Sequence, residues 1–176
     1  PADAVETAEC WALALQTPGT PSVLALSRQN LPQVRSGDVN WTGAANKSAK
    51  GAYRLKAAEA QRKVVLMATG SEVSVALDTA AALEAKGIGA DVVSMPCQEL
   101  FNATDAAYKA DLLSADALKV SVEAGVTHGW ERYTGIDGLN IGLDTFGASA
   151  PAEVLFKHFG FTAEKIVPQI LAKLGN

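Results

Sequence analysis

Residues 63–95 read KVVLMATGSEVSVALDTAAALEAKGIGADVVSM. Lys63 to Ala68 is apolar almost throughout, which fits a strand covered on both faces rather than one half in water. Thr69-Gly70-Ser71-Glu72 interrupts the run. Val73, Leu77, Ala80 and Leu83 then recur at spacings of 4, 3 and 3, the mark of one helix face. Ser71 is placed to cap this helix and Gly87 to end it. Gly89 to Met95 is a second apolar strand, stopped by Pro96. Strand, helix and strand within 33 residues form a βαβ unit, right-handed by default, and imply a mostly parallel sheet in a layered α/β domain.

The pattern continues toward the C-terminus. Thr104 is expected to cap a helix reaching Leu113, and Leu118 to Val122 is a third strand. Gly125 to Tyr133 reads as a loop with room for a short helix, and Leu139 to Leu143 as a fourth strand. Pro151 sits near the first turn of a helix ending about Phe159. Thr162 caps a last helix, which Pro168 should kink by removing one backbone donor.

Toward the N-terminus the picture changes. Gly51 to Leu55 suits a short strand, but Gln29 to Lys50 keeps neither helical nor strand period and reads as a linker at a domain boundary. Before it, Asp3 with Glu6 three residues on opens a helix through Cys10, Trp11, Leu13 and Leu15, ended by Pro18, Gly19 and Pro21. Ser22 to Leu26 (SVLAL) is expected as a buried strand. One helix and one strand do not make a sheet, so this opening reads as the remnant of a neighbouring α/β domain.

Composition narrows the function classes. Of 176 residues, 48% are hydrophobic and 19% charged, enough apolar material for a core and too little charge for a disordered chain. A net charge of -4 without a Lys/Arg run argues against a nucleic-acid partner, and the interrupted apolar stretches against a membrane span. Cys10 and Cys97 form no C-x-x-C pair, which suits a reducing, cytoplasmic setting. The start at Pro1 fits a processed chain or a piece of a longer one.

Several residues carry candidate chemistry. Arg28 follows the SVLAL strand, where α/β sheets gather ligands, and its planar fork suits a phosphate. The Thr69–Glu72 turn exposes helix N–H groups, but Glu72 repels an anion there, so helix capping is the favoured reading and a P-loop is excluded. Glu123 and His128 offer an acid–base pair, against the plainer reading of a structural Gly-rich loop. His158 reads as a surface residue and Cys97 as a structural thiol. Asp137-Gly138-Leu139-Asn140 is too compressed for a thiamine diphosphate motif.

Taken together, Pro1-Ala2-Asp3-Ala4, Leu26-Ser27-Arg28-Gln29-Asn30-Leu31-Pro32, Ala68-Thr69-Gly70-Ser71-Glu72-Val73 and Val93-Ser94-Met95-Pro96-Cys97 resemble transketolase. Val122-Glu123-Ala124-Gly125, Gly129-Trp130 and Phe146-Gly147-Ala148-Ser149-Ala150-Pro151-Ala152 continue the resemblance in family order. It implies that residues 1–34 end the pyrimidine-binding middle domain, that 35–50 are a linker, and that 51–176 are the C-terminal domain. That domain's three-layer α/β fold has a mostly parallel sheet with one antiparallel strand. The implied parent is a cytoplasmic homodimer that moves a two-carbon ketol unit between sugar phosphates of the pentose phosphate pathway. Its cofactors are thiamine diphosphate, which acts as the electron sink, and Mg2+ or Ca2+. Arg28 maps onto a residue holding the sugar phosphate. The metal motif, the catalytic Glu and the pyrimidine pocket would precede Pro1, so this chain alone is expected to bind no cofactor and to be inactive. The alternative is a stand-alone regulatory or assembly module with a small ligand at its strand ends. The equivalent region of a thiamine-dependent 2-oxo acid dehydrogenase fits Ser27 to Pro32 poorly.

Overall fold

The computed structural model describes residues 1–36 and 45–175. Residues 37–44 of the expected linker therefore lie outside the described residues. Among the described residues five strands form one sheet: β1 (Tyr53–Lys56), β2 (Arg62–Ala68), β3 (Gly89–Ser94), β4 (Leu118–Val122) and β5 (Leu139–Ile141). Their order is β1-β3-β2-β4-β5. β2 is parallel to both β3 and β4, β5 is parallel to β4, and β1 alone is antiparallel, along β3.

Alternation along the central strands feeds two cores. Val64, Leu66, Val92 and Val120 point to the side covered by α2 (Glu72–Glu84) and α7 (Ala163–Leu174), where Leu83, Ile166 and Ile170 are buried. Val65, Met67 and Val93 point to the other side, against Phe101, Leu112 and Tyr133. Those three belong to α3 (Gln98–Asn102), α4 (Ala106–Leu113) and α5 (Glu131–Thr134). Both faces of the sheet are thus dry, which is why β2 has no polar alternation. The remaining helices are α1 (Ala4–Gln16) and α6 (Ala152–Phe159), and a 3-10 turn covers Lys47–Lys50.

Local signals act as expected at several ends. The Asp3 carboxylate accepts the Glu6 N–H at 2.8 Å and caps α1. Gly87, at φ +75°, closes α2: its N–H bonds the Glu84 carbonyl while the Ile88 N–H bonds that of Leu83. Three expectations are corrected. Ser22–Leu26 forms no strand: it pairs with nothing among the described residues, and Val23 is 93% exposed. An apolar run becomes a strand only where a neighbour takes its N–H and C=O groups, and no strand of the sheet lies beside it. The cap of α4 is Asp105, whose carboxylate takes the Tyr108 N–H, rather than Thr104, which bonds back to Phe101. Ser71 has helical dihedrals and makes no side-chain cap; its hydroxyl donates to the Glu72 carboxylate instead. α7 continues through Pro168, which lies on its exposed side.

Candidate functional site at the strand ends

The register aligns the ends of three strands: Ala68 of β2 sits opposite both Ser94 of β3 and Val122 of β4. Strand order reverses about β2, so the chain leaves β2 and β4 on either side of a crevice, where ligands of open α/β sheets bind. A cleft of about 790 Å3 lies there. Ser71 and Glu72 from the end of β2, Glu123 and Ala124 from the end of β4, the Ser149–Ala152 loop, and Ser27–Gln29 border it, with Leu155 and Phe156 below.

Two carboxyls line this cleft. Glu72 is 4% exposed. Burial pushes its carboxyl up to about 7, the Ser71 hydroxyl opposes the rise, and the charge of Glu123 adds to it. Glu123 is also raised by burial, partly offset by the Thr69 hydroxyl, which donates to it at 2.6 Å. Arg28 lies on the cleft rim, exposed and without a hydrogen bond or ion pair among the described residues. The cleft therefore presents one free guanidinium and two carboxyls, both shifted upward by burial.

Other candidates fall elsewhere. His128 is exposed and does not line the cleft, so Glu123 and His128 make no pair. His158 is exposed with its ring edge-on to Phe159. Cys97 is half-buried, and burial raises its thiol above the ordinary value, which disfavours a nucleophile. Asn140 has a structural part, accepting from the Ser121 and Thr134 hydroxyls.

A second polar cluster was not signalled by the sequence. Glu6 and Glu9, three apart on α1, are both fully buried. Glu6 accepts hydrogen bonds from the Tyr53 hydroxyl, the Ser94 hydroxyl and the Ala2 N–H. Glu9 forms a two-pronged ion pair with Arg35, both contacts 2.7 Å, and also accepts from Ser48. Burial works against ionised Glu9, but the Arg35 and Ser48 hydrogen bonds outweigh it and hold its carboxyl below the ordinary value. Glu9 reciprocally raises Arg35, whose guanidinium also lies 5.2 Å from the centre of the Tyr53 ring. A pair of Glu residues at helical spacing is ordinarily a solvated face, and nothing local marks this one as buried. Only the distant partners Arg35, Tyr53 and Ser94 reveal it.

The sheet and its crevice define an α/β domain of the kind that closes transketolases. Residues 51–162 match the transketolase-like C-terminal domain, and the chain belongs to that family. It is 49% identical over 180 residues to the transketolase of Rhodobacter capsulatus, covering 99% of this chain and 26% of that protein. The transketolase of Leishmania mexicana superposes with a TM-score of 0.82 at 43% identity, over 96% of this chain and 24% of that one. A mutant transketolase of Pichia stipitis in complex with fructose-6-phosphate gives 0.87 at 37% identity, over 99% and 24%. The chain corresponds to the C-terminal part of transketolases and spans about a quarter of the length of the relatives it matches.

Proposed function

We propose that this chain is the C-terminal part of a thiamine diphosphate-dependent transketolase, which transfers a two-carbon ketol unit between sugar phosphates. In that enzyme Arg28 anchors the phosphate of the sugar. The observation that carries the reading is the free guanidinium of Arg28 on the rim of the strand-end cleft. A planar cation with unused donors suits a phosphate dianion, which it holds by two parallel charge-assisted bonds. The Pichia stipitis relative, solved with a sugar phosphate, supports that substrate class.

The described residues offer no set of donors for the cofactor's metal. A diphosphate is held through a divalent ion that needs several oxygen donors, and no cluster of three His, Cys, Asp or Glu suited to a metal occurs among the described residues. The chain contributes substrate binding and a domain surface, with the cofactor held by the remainder of a homodimeric protein. Among the described residues no helix is long and apolar enough to cross a membrane; the two half-buried free thiols suit a cytoplasmic enzyme.

The test is Arg28→Gln in the full-length protein. Loss of one charge-assisted phosphate contact raises KM for fructose 6-phosphate by about tenfold or more, with kcat largely kept. An unchanged KM removes Arg28 from the phosphate site.

A further inference from the structure

We propose that the junction between α1 and the sheet domain is a locked joint rather than a hinge, and that Glu6 and Glu9 are the residues that lock it.

The stretch that matches the C-terminal domain begins at residue 51, so α1 and the link after it lie outside that match. Two domains joined by such a link ordinarily move relative to each other. Here buried polar contacts cross the junction. Glu6 Oε1 accepts the Tyr53 hydroxyl of β1 at 2.8 Å and the Ser94 hydroxyl of β3 at 2.6 Å, while Oε2 accepts the Ala2 N–H. Tyr53 and Ser94 are themselves register partners across β1 and β3, so Glu6 grips both strands at one rung. Glu9 holds the link. Its carboxylate takes both prongs of Arg35, and the N–H and hydroxyl of Ser48, while its backbone carbonyl accepts the Asn46 amide. Arg35 precedes residues 36–45 and Asn46 and Ser48 follow them, so one helical residue gathers both ends of the link. Tyr53 joins the two halves of the lock, with its hydroxyl on Glu6 and its ring 5.2 Å from the Arg35 guanidinium. Glu6, Glu9, Arg35, Asn46, Ser48, Tyr53 and Ser94 are all 7% exposed or less. These contacts are internal to the chain and do not depend on what covers its outer surface in a longer protein.

The chemistry of the contacts makes them a lock. A helix seated on apolar groups can slide with modest loss. Sliding α1 by one helical turn, roughly 5.4 Å, would strand two buried carboxyls without donors and leave the Arg35 guanidinium without its acceptor. A buried charge that loses its partner costs far more than the intact pair contributes, so the contacts specify one position more than they add stability. The two apolar cores of the sheet domain receive no side chain from α1 among the described residues. Its seat on the sheet is therefore polar, and the sheet can keep its own fold when the seat is lost.

The experiment uses the full-length protein with Tyr53→Phe and Ser94→Ala combined. Both changes remove a donor from the sheet side, keep apolar groups of similar size there, and leave Glu6 with only the Ala2 N–H. Amide hydrogen exchange over Thr7–Gln16 is expected to accelerate by about tenfold or more, while exchange over β2 and α2 stays as in the parent. Where the double variant fails to fold, Tyr53→Phe alone keeps the ring beside Arg35 and is expected to accelerate the same amides several-fold. Unchanged exchange over Thr7–Gln16 shows that something other than Glu6 seats the helix. Equal acceleration over α1, β2 and α2 shows that the contacts add general stability without locking a joint. Either result overturns the proposal, and neither bears on Arg28, whose test reads KM.

Discussion

Glu72 shows how one residue changes meaning between sequence and structure. In the sequence it is an acidic group in a helix's first turn, where it favours the helix dipole and opposes an anionic ligand. In the structure it is buried, and its carboxyl titrates near 7. The folded state therefore binds the Glu72 proton more tightly than the unfolded chain, whose value lies near 4.5. The resulting stabilisation is fully present below about 4.5 and is lost as pH rises through about 7. Glu72→Gln keeps the neutral hydrogen-bonding shape and removes the titration. It is expected to match the parent's stability at acid pH and to exceed it at pH 8, by on the order of 2 kcal/mol. Thermal melts of parent and variant between pH 5 and 8 check this; a gap that stays constant with pH means that Glu72 is not held neutral by burial.

At the scale of elements, the readable ones were those whose signal is local. β2, α2 and β3 stand within a residue or two of their expected bounds because apolar runs, a 3.6-residue period and Gly87 each act through neighbours in the chain. The SVLAL segment is as apolar as β3, yet it forms no strand and leaves Val23 and Leu26 exposed, since strand formation depends on a partner that the run itself does not specify. α3 gave no period to read because five residues are too few to show one. α7 offers a test of element energetics. Pro168 sits on its exposed side and gives no N–H to the carbonyl four residues earlier, that of Glu164. Pro168→Ala restores the missing donor and is expected to raise Tm by a few degrees, for a gain of about 1–3 kcal/mol. A lower Tm in a calorimetric scan indicates that the helix bends around Pro168 in a way alanine does not reproduce.

At the scale of the whole molecule, the sheet domain is complete in its own core, while α1 and the segment that follows it leave Trp11, Leu15, Val23 and Leu26 facing outward. Exposed large apolar groups on one contiguous segment are the usual mark of a surface that is covered in the assembled protein. This agrees with a chain that spans about a quarter of its transketolase relatives. Titrating the 176-residue chain with thiamine diphosphate and magnesium in a calorimeter is expected to give no binding heat, because the metal donors are lacking among the described residues. One-to-one binding would show that the cofactor site lies within this chain and would overturn the division of roles proposed above.

The family and the βαβ elements were determined by the sequence alone: the apolar runs of β2 and β3, the caps at Asp3 and Gly87, and the ordered motifs from Pro1 to Ala152 all act locally or are read in line. The position of Arg28 near a strand-end cleft was legible only in outline, through its place after an apolar run. What only the tertiary structure decided is which charges are buried. Glu6, Glu9 and Arg35 look like surface residues until elements 26 to 88 residues away supply their partners, and Glu72 does so until the fold closes over it. The physical reason is that burial and pairing are properties of the space around a side chain, and that space is built by folding rather than by neighbours in the chain.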